Sequence, residues 1–203
     1  MTILQLFPEP VYASKLDRAL TKKELKTISQ YKKEPAPNAG NTTSSENYVL
    51  ENKALNNLKK DLHTKVMDYF DKVICTDNPI TPYITQSWLN YTERDQMLQL
   101  HTHPNSLVSG IFYVSADKKV DSITFSNAHP ENRIKLNTTK YNMFNSISCK
   151  ILVETGNILL FPSSLIHGVE KKKCNNIRIS LSFNVFIKGT IGNKNDLTEL
   201  ILE

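Results

Sequence analysis

The chain has 203 residues, enough for one domain with a sizeable core, and its 39% hydrophobic and 22% charged content is ordinary for a globular protein. Its 25 basic and 20 acidic residues give a formal net charge of +5, with the basic residues scattered and not interleaved with aromatics, which is no nucleic-acid signature. No apolar run approaches membrane-spanning length, the stretch Met1–Pro8 lacks the pattern of a signal peptide, and Cys75, Cys149 and Cys174 at no metal-like spacing predict a reduced, cytoplasmic compartment.

Residues 1–80 read as a mostly helical part. Thr21-Lys22-Lys23-Glu24 is a capping box and predicts a helix to about Tyr31, ended by Pro35 and Pro37. The Pro-, Asn-, Thr- and Ser-rich stretch 34–47 predicts a loop. A second helix is predicted over about 52–73, where Leu55, Leu58, Leu62, Val66, Tyr69 and Val73 recur at three- and four-residue steps and form one apolar stripe. His63 lies beside that stripe and reads as a partly exposed helix histidine.

From about Tyr83 the period changes to two. Strands are predicted at 83–91, 96–103, 106–115, 122–126, 149–154, 157–161, 167–171 and 176–187, most of them separated by turn signals such as Pro104-Asn105 and Thr155-Gly156-Asn157. Short strands at this density predict a mainly β fold, a sandwich or double-sheet jelly roll. The predicted organisation is a single domain over 1–203, with a jelly-roll core at 83–189 and the N-terminal helices packed on its outside. The polar segment 128–148 predicts a loop over one mouth of the barrel, with His129 exposed in it, and Lys171-Lys172-Lys173 reads as a solvated turn.

Three of the five histidines fall into a pattern that suits a metal. His101 and His103 are two apart, so on a strand they share a face, and His167 follows the apolar run Ile158–Pro162 where a second strand would end. Neutral imidazole is the commonest protein ligand for redox-active and Lewis-acid metals. Read alone, the pair also fits an edge strand with two surface histidines. If helices cover the outside of the sheet, Leu98 and Leu100 pack against them, and Gln99, His101 and His103 look into the barrel.

The last long strand shows the same inversion: Arg178, Ser180, Ser182 and Asn184 alternate with Ile177, Ile179, Leu181, Phe183 and Val185. Turned inward, the polar face would offer Arg178 to an anion, since a guanidinium forks bidentately onto a carboxylate, and Ser180 would donate to the same group.

Three segments carry a family resemblance: H-T-H-P-N-S-L-V-S-G-I-F-Y-V from His101, G-N-I-L-L-F-P-S-S-L-I-H-G-V from Gly156 and R-I-S-L-S-F-N from Arg178. They resemble the iron(II)/2-oxoglutarate-dependent oxygenase superfamily, in particular a small phage and bacterial branch with an H-x-H-P-N-S motif. The likeness is patchy in the helical part and nearly continuous from Trp88 to Asn184.

The resemblance implies a double-stranded β-helix, Fe(II) as metal, 2-oxoglutarate as cosubstrate and O2 as co-reactant. It implies metal binding by His101 and His167, and cosubstrate binding by Arg178 and Ser180 with Tyr113 on the same carboxylate. Asn90 and Gln99 are candidates for cosubstrate contact or support, Trp88 and Phe161 read as packing residues, and Gly110 as a place of close backbone approach.

The chain departs from the superfamily at one point. The usual motif is H-x-D/E, and His103 stands where the carboxylate should be. The site is then either a three-histidine site or a two-histidine site with another oxygen donor; Glu93 and Asp95 are near in sequence but on a turn. The reading taken forward has His103 as a ligand.

The implied function is 2-oxoglutarate-coupled hydroxylation of a small-molecule or peptidyl substrate in the cytoplasm, the host's if the gene is phage-borne. The alternatives are a three-histidine dioxygenase that needs no 2-oxoglutarate and a non-catalytic jelly-roll binding or virion-associated protein. Nothing in the sequence sets the oligomeric state.

Overall fold

The alternation with period two is realised as two antiparallel sheets in the computed structural model, which describes residues 3, 4, 6–127 and 137–203. In chain order the elements are β1 (Tyr12–Lys15), α1 (Lys22–Tyr31), β2 (Pro35–Pro37), β3 (Thr42–Ser44), α2 (Asn56–Tyr69) and β4 (Ile80–Thr92). Then come β5 (Leu98–His101), β6 (Val108–Ser115), β7 (Ser122–Ser126), β8 (Ser148–Leu152), β9 (Asn157–Pro162), β10 (Ile166–Val169), β11 (Arg178–Ile191) and β12 (Leu200–Leu202). The large sheet has the order β1-β9-β6-β11-β4-β3-β2, with β12 paired to β11, and the small sheet the order β5-β10-β7-β8. This is the jelly roll that the alternation predicts.

The first 80 residues are less helical than their composition suggests. β1 has little alternation of its own and exists because β9 pairs with it, Tyr12 opposite Leu160. The Pro-rich stretch predicted as a loop folds into the β2–β3 hairpin, with Pro35 opposite Ser44. Its prolines are tolerated because β2 is the outermost strand and needs no donor on its free side. The second helix is shorter than predicted, with 3₁₀ turns at Val49–Glu51 and Lys53–Leu55 before it and a wider π turn at Phe70–Ile74 after it. The capping box of α1 forms as read: Thr21 accepts from the Glu24 backbone, and the Glu24 carboxylate accepts from the Thr21 N–H at 2.7 Å. His63 accepts its bland role, its ring reaching the Pro82 carbonyl at 3.0 Å.

The large sheet has two differently built faces. Outside, Leu181, Phe183 and Val185 of β11 share one core with Leu58, Leu62 and Val66 of α2. Each such side chain stabilises the fold by about 1.5–3 kcal/mol on burial, so the helices fix which face of β11 turns outward. Inside, Ile111, Tyr113, Leu159 and Phe161 meet Ile123 and Phe125 of the small sheet in a second, smaller core. The register then leaves Arg178, Ser180, Ser182 and Asn184 facing the space between the sheets.

One expectation needs correction here. The helices cover only the large sheet, whereas β5 is an edge of the small one, so Leu98 and Leu100 have no helix to pack on and Leu100 is 57% exposed. Of the predicted mouth loop 128–148, residues 128–136, His129 among them, lie outside the described residues.

Gly110 is a close-approach site: a Cβ there would stand 2.1 Å from the Phe183 ring. Phe183 is fully buried and has nowhere to go. Gly110→Ala is therefore expected to destabilise the fold by about 2–3 kcal/mol through overpacking, read as a fall in the denaturant midpoint at unchanged slope.

Candidate metal centre and cosubstrate pocket

His101 and His167 are cross-strand partners on β5 and β10. His103 lies just past the end of β5, where its backbone N–H donates to the Ser163 carbonyl at 2.9 Å. This turn brings the third ring back toward the other two: the ring centroids are 4.4 Å apart for His101 and His167, 5.0 Å for His103 and His167, and 5.1 Å for His101 and His103. One nitrogen from each ring falls in a group whose members all lie within 4.8 Å of one another.

The remaining nitrogens say which way the rings are protonated. His101 Nδ1 is 2.8 Å from the Gln99 carbonyl and His167 Nδ1 is 3.0 Å from the Leu165 carbonyl. A backbone carbonyl only accepts, so each Nδ1 carries a proton, and in a neutral ring Nε2 then presents the lone pair. His103 Nδ1 donates in the same way to Asn184 Oδ1 at 2.7 Å.

His101 Nε2 and His103 Nε2 then face each other at 3.1 Å with a lone pair on each. Two acceptors at that distance repel unless they share a cation. Nitrogens about 2.1 Å from one ion and at right angles are about 3 Å apart, so the donor set fits a transition metal. Burial, the main cause, holds the His167 imidazole down at about 3 and lowers His103 as well, which keeps both in the neutral, ligating form. The group contains no carboxylate; Glu93 and Asp95 are exposed on their turn and stand outside it.

Arg178 is 3% exposed. Its Nη1 donates to the Ser122 carbonyl at 3.0 Å and its Nη2 to Thr92 Oγ1 at 3.1 Å, while its Nε is buried with no partner. No carboxylate pairs with it among the described residues: the nearby Asp121 is taken by Lys172 and Asn176. A buried guanidinium in this condition is costly and calls for an anion.

Ser180 stands in register with Tyr113 on one side and Asn90 on the other, which sets three polar side chains in a row across β6, β11 and β4. The hydroxyls of Ser180 and Tyr113 make no hydrogen bond to another described residue. Burial pushes the Tyr113 phenol up to about 12, so it stays a donor. Asn90 donates through Nδ2 to Ser182 Oγ at 3.0 Å and leaves a buried Oδ1 without a partner. Gln99 is exposed, and what it holds in place it holds through its carbonyl.

One cavity of about 1010 Å³ joins the three histidines to Arg178, Ser180 and Tyr113. Among the described residues, no Asp, Glu or Lys lines it. Trp88, read from the sequence as packing, both lies tilted against His103 at 5.5 Å between ring centroids and lines the cavity, whereas Phe161 is a core residue set edge-on to His167 at 4.7 Å.

Sequence reasoning gave no role to Asn184, which holds His103, or to Thr92, which holds Arg178. The available signal was parity: Asn184 shares the inward face of Arg178, and Thr92 that of Asn90. In the lysine run, Lys171 and Lys173 are exposed as expected and Lys172 is not. Lys172 is 6% exposed and donates to Asp121 and Asn176 at 2.5 and 2.8 Å, because a buried Asp121 requires a countercharge.

Fold and site together define a jelly-roll protein with three imidazoles converging in one cavity. Residues 86–184, the stretch that holds the three histidines and Arg178, match the family model described as "Putative 2OG-Fe(II) oxygenase". No curated protein matches the sequence.

Among solved structures the chain is similar to HygX from Streptomyces hygroscopicus with nickel and 2-oxoglutarate bound, at 12% identity and TM-score 0.57, covering 87% of this chain and 82% of that one. It is similar to a prolyl hydroxylase from Trichoplax adhaerens in complex with a hypoxia inducible factor peptide fragment, at 13% identity and TM-score 0.58 over 87% and 83% of the two chains. An oxidoreductase of the 2OG-Fe(II) oxygenase family from Burkholderia pseudomallei gives 10% identity and TM-score 0.53 over 86% and 83%.

Proposed function

We propose that the protein is an Fe(II)- and 2-oxoglutarate-dependent dioxygenase in which His101, His103 and His167 hold the metal and Arg178 receives the far carboxylate of the cosubstrate. The observation that carries this reading is a buried guanidinium, paired with no carboxylate among the described residues, in the same cavity as three convergent imidazoles. Three neutral imidazoles leave both charges of a divalent ion unmet by the protein. A dianion with one carboxylate at each end satisfies the metal and Arg178 together.

When bound, metal and cosubstrate supply the oxidative chemistry: 2-oxoglutarate and O2 give succinate and CO2, and the second oxygen atom enters a substrate C–H bond. The chain's own residues bind and orient. Arg178 and the hydroxyls of Ser180 and Tyr113 are donors for one carboxylate, and their burial limits competition from water. The cavity is far larger than 2-oxoglutarate needs, and its outer part takes the substrate, a small molecule or a peptide segment. Three unpaired cysteines suit a reducing cytoplasm, which also keeps iron ferrous.

Fe(II)-loaded protein given 2-oxoglutarate labelled at C1 is expected to release labelled CO2 and form succinate in equal amounts while consuming O2, slowly without a substrate. Omission of either Fe(II) or O2 abolishes it. Metal-loaded protein that turns over an organic substrate with O2 and leaves 2-oxoglutarate untouched would overturn the reading.

A further inference from the structure

We infer that Asn184 is the positioning residue of the metal site: its side-chain oxygen fixes the tautomer of His103 and thereby makes an imidazole the third ligand. This rests on the three-histidine reading above and adds the residue on which the unusual ligand depends.

The three rings are not held alike. His101 and His167 each donate Nδ1–H to a backbone carbonyl two residues earlier, Gln99 and Leu165. Those acceptors come with the local backbone and would serve a histidine whatever the neighbouring side chains were. His103 has no such local partner. Its Nδ1–H crosses to the other sheet and meets Asn184 Oδ1 at 2.7 Å, the shortest of the three contacts.

Asn184 is 8% exposed and sits on β11, which is flanked by β4 and β6 in the large sheet. It stands in register with Ser109 of β6, and its own carbonyl accepts from Thr85 Oγ1 at 3.2 Å. The acceptor is therefore anchored from both sides. His103 itself lies past the end of β5, with its ring tilted against that of Trp88.

Without an acceptor at Nδ1, a neutral imidazole is free to place its proton on Nε2 or to turn its ring, and either change removes the lone pair from the site. Outer partners of this kind typically contribute 10- to 100-fold to metal affinity. The bond also ties the small sheet's ligand turn to the large sheet that carries Arg178, so that metal and anion clamp share one rigid support.

The test uses Co(II) as probe, with affinity measured by chelator competition and proton NMR of the loaded protein. Asn184→Leu keeps the volume and removes the acceptor. It is expected to weaken Co(II) about 10- to 100-fold. Asn184→Asp restores an acceptor and is expected to bind Co(II) within a few-fold of wild type. Wild-type protein should show three shifted imidazole N–H signals that exchange slowly with water, and Asn184→Leu should lose the slow exchange of one.

Asn184→Ala repeats the test should the leucine variant not fold, and His103→Ala supplies the reference. If His103→Ala loses Co(II) while Asn184→Leu and Asn184→Ala bind it as wild type does with three slow signals, Asn184 has no positioning role and the three-histidine reading stands. If His103→Ala itself binds Co(II) as tightly as wild type, that reading fails and the inference with it.

Discussion

Arg178→Met is expected to weaken 2-oxoglutarate about 10²- to 10³-fold while leaving metal affinity within a few-fold of wild type. The size follows from the surroundings of the guanidinium. Truncating one partner of a buried, hydrogen-bonded charge pair costs about 2–5 kcal/mol, and each 1.4 kcal/mol is about tenfold in affinity. Arg178 lies at the large end of that range, since it is almost fully buried and no carboxylate of the described residues competes for it. Metal binding is spared because the arginine touches Ser122 and Thr92 and none of the histidines. Anaerobic calorimetric titration of 2-oxoglutarate into Fe(II)-loaded wild type and variant measures the ratio. A variant that binds as tightly as wild type would place the far carboxylate elsewhere.

The second large effect concerns the ligands. Alanine at His101, His103 or His167 is expected to weaken Fe(II) about 10²- to 10³-fold in each case, on the scale of roughly 3–4 kcal/mol for each ligand of a site worth about 10–16 kcal/mol in all. Equal losses are the signature of a three-imidazole site, since one nitrogen from each ring falls in a group with no carboxylate among the described residues. A site with two histidines and an outside oxygen donor gives a different pattern, with His101 and His167 essential and His103 nearly silent. Chelator competition under anaerobic conditions separates the two.

Much of this was legible in the sequence because the large sheet sorts its side chains by parity. The alternation from Arg178 to Val185 fixed which residues share a face, and the apolar stripe of α2 supplied the surface that turns one face outward. The H-x-H pair was readable for the same reason. The structure adds that His103 reaches its place by a turn past the strand end, which residue spacing alone does not describe.

What was not legible depends on distant partners. β1 and the β2–β3 hairpin are strands only because β9 and β4 offer edges to them. Lys172 looked like one of three solvated lysines, and only the fold shows a buried Asp121 beneath it. Leu98 and Leu100 were expected to be covered, and the edge position of β5 leaves Leu100 in the open. The link from His103 to Asn184 joins residues 81 positions apart on opposite sheets, and no local pattern announces it.

The central claim is that one cavity binds a divalent iron and a dicarboxylate side by side. Anaerobic addition of 2-oxoglutarate to the Fe(II)-loaded protein tests it directly, by the visible metal-to-ligand charge-transfer absorption that chelation through the keto and C1 carboxylate groups produces. The account predicts a band that grows to saturation at one equivalent in wild type and needs far more cosubstrate in Arg178→Met. Iron-loaded protein that stays colourless at saturating 2-oxoglutarate would contradict it.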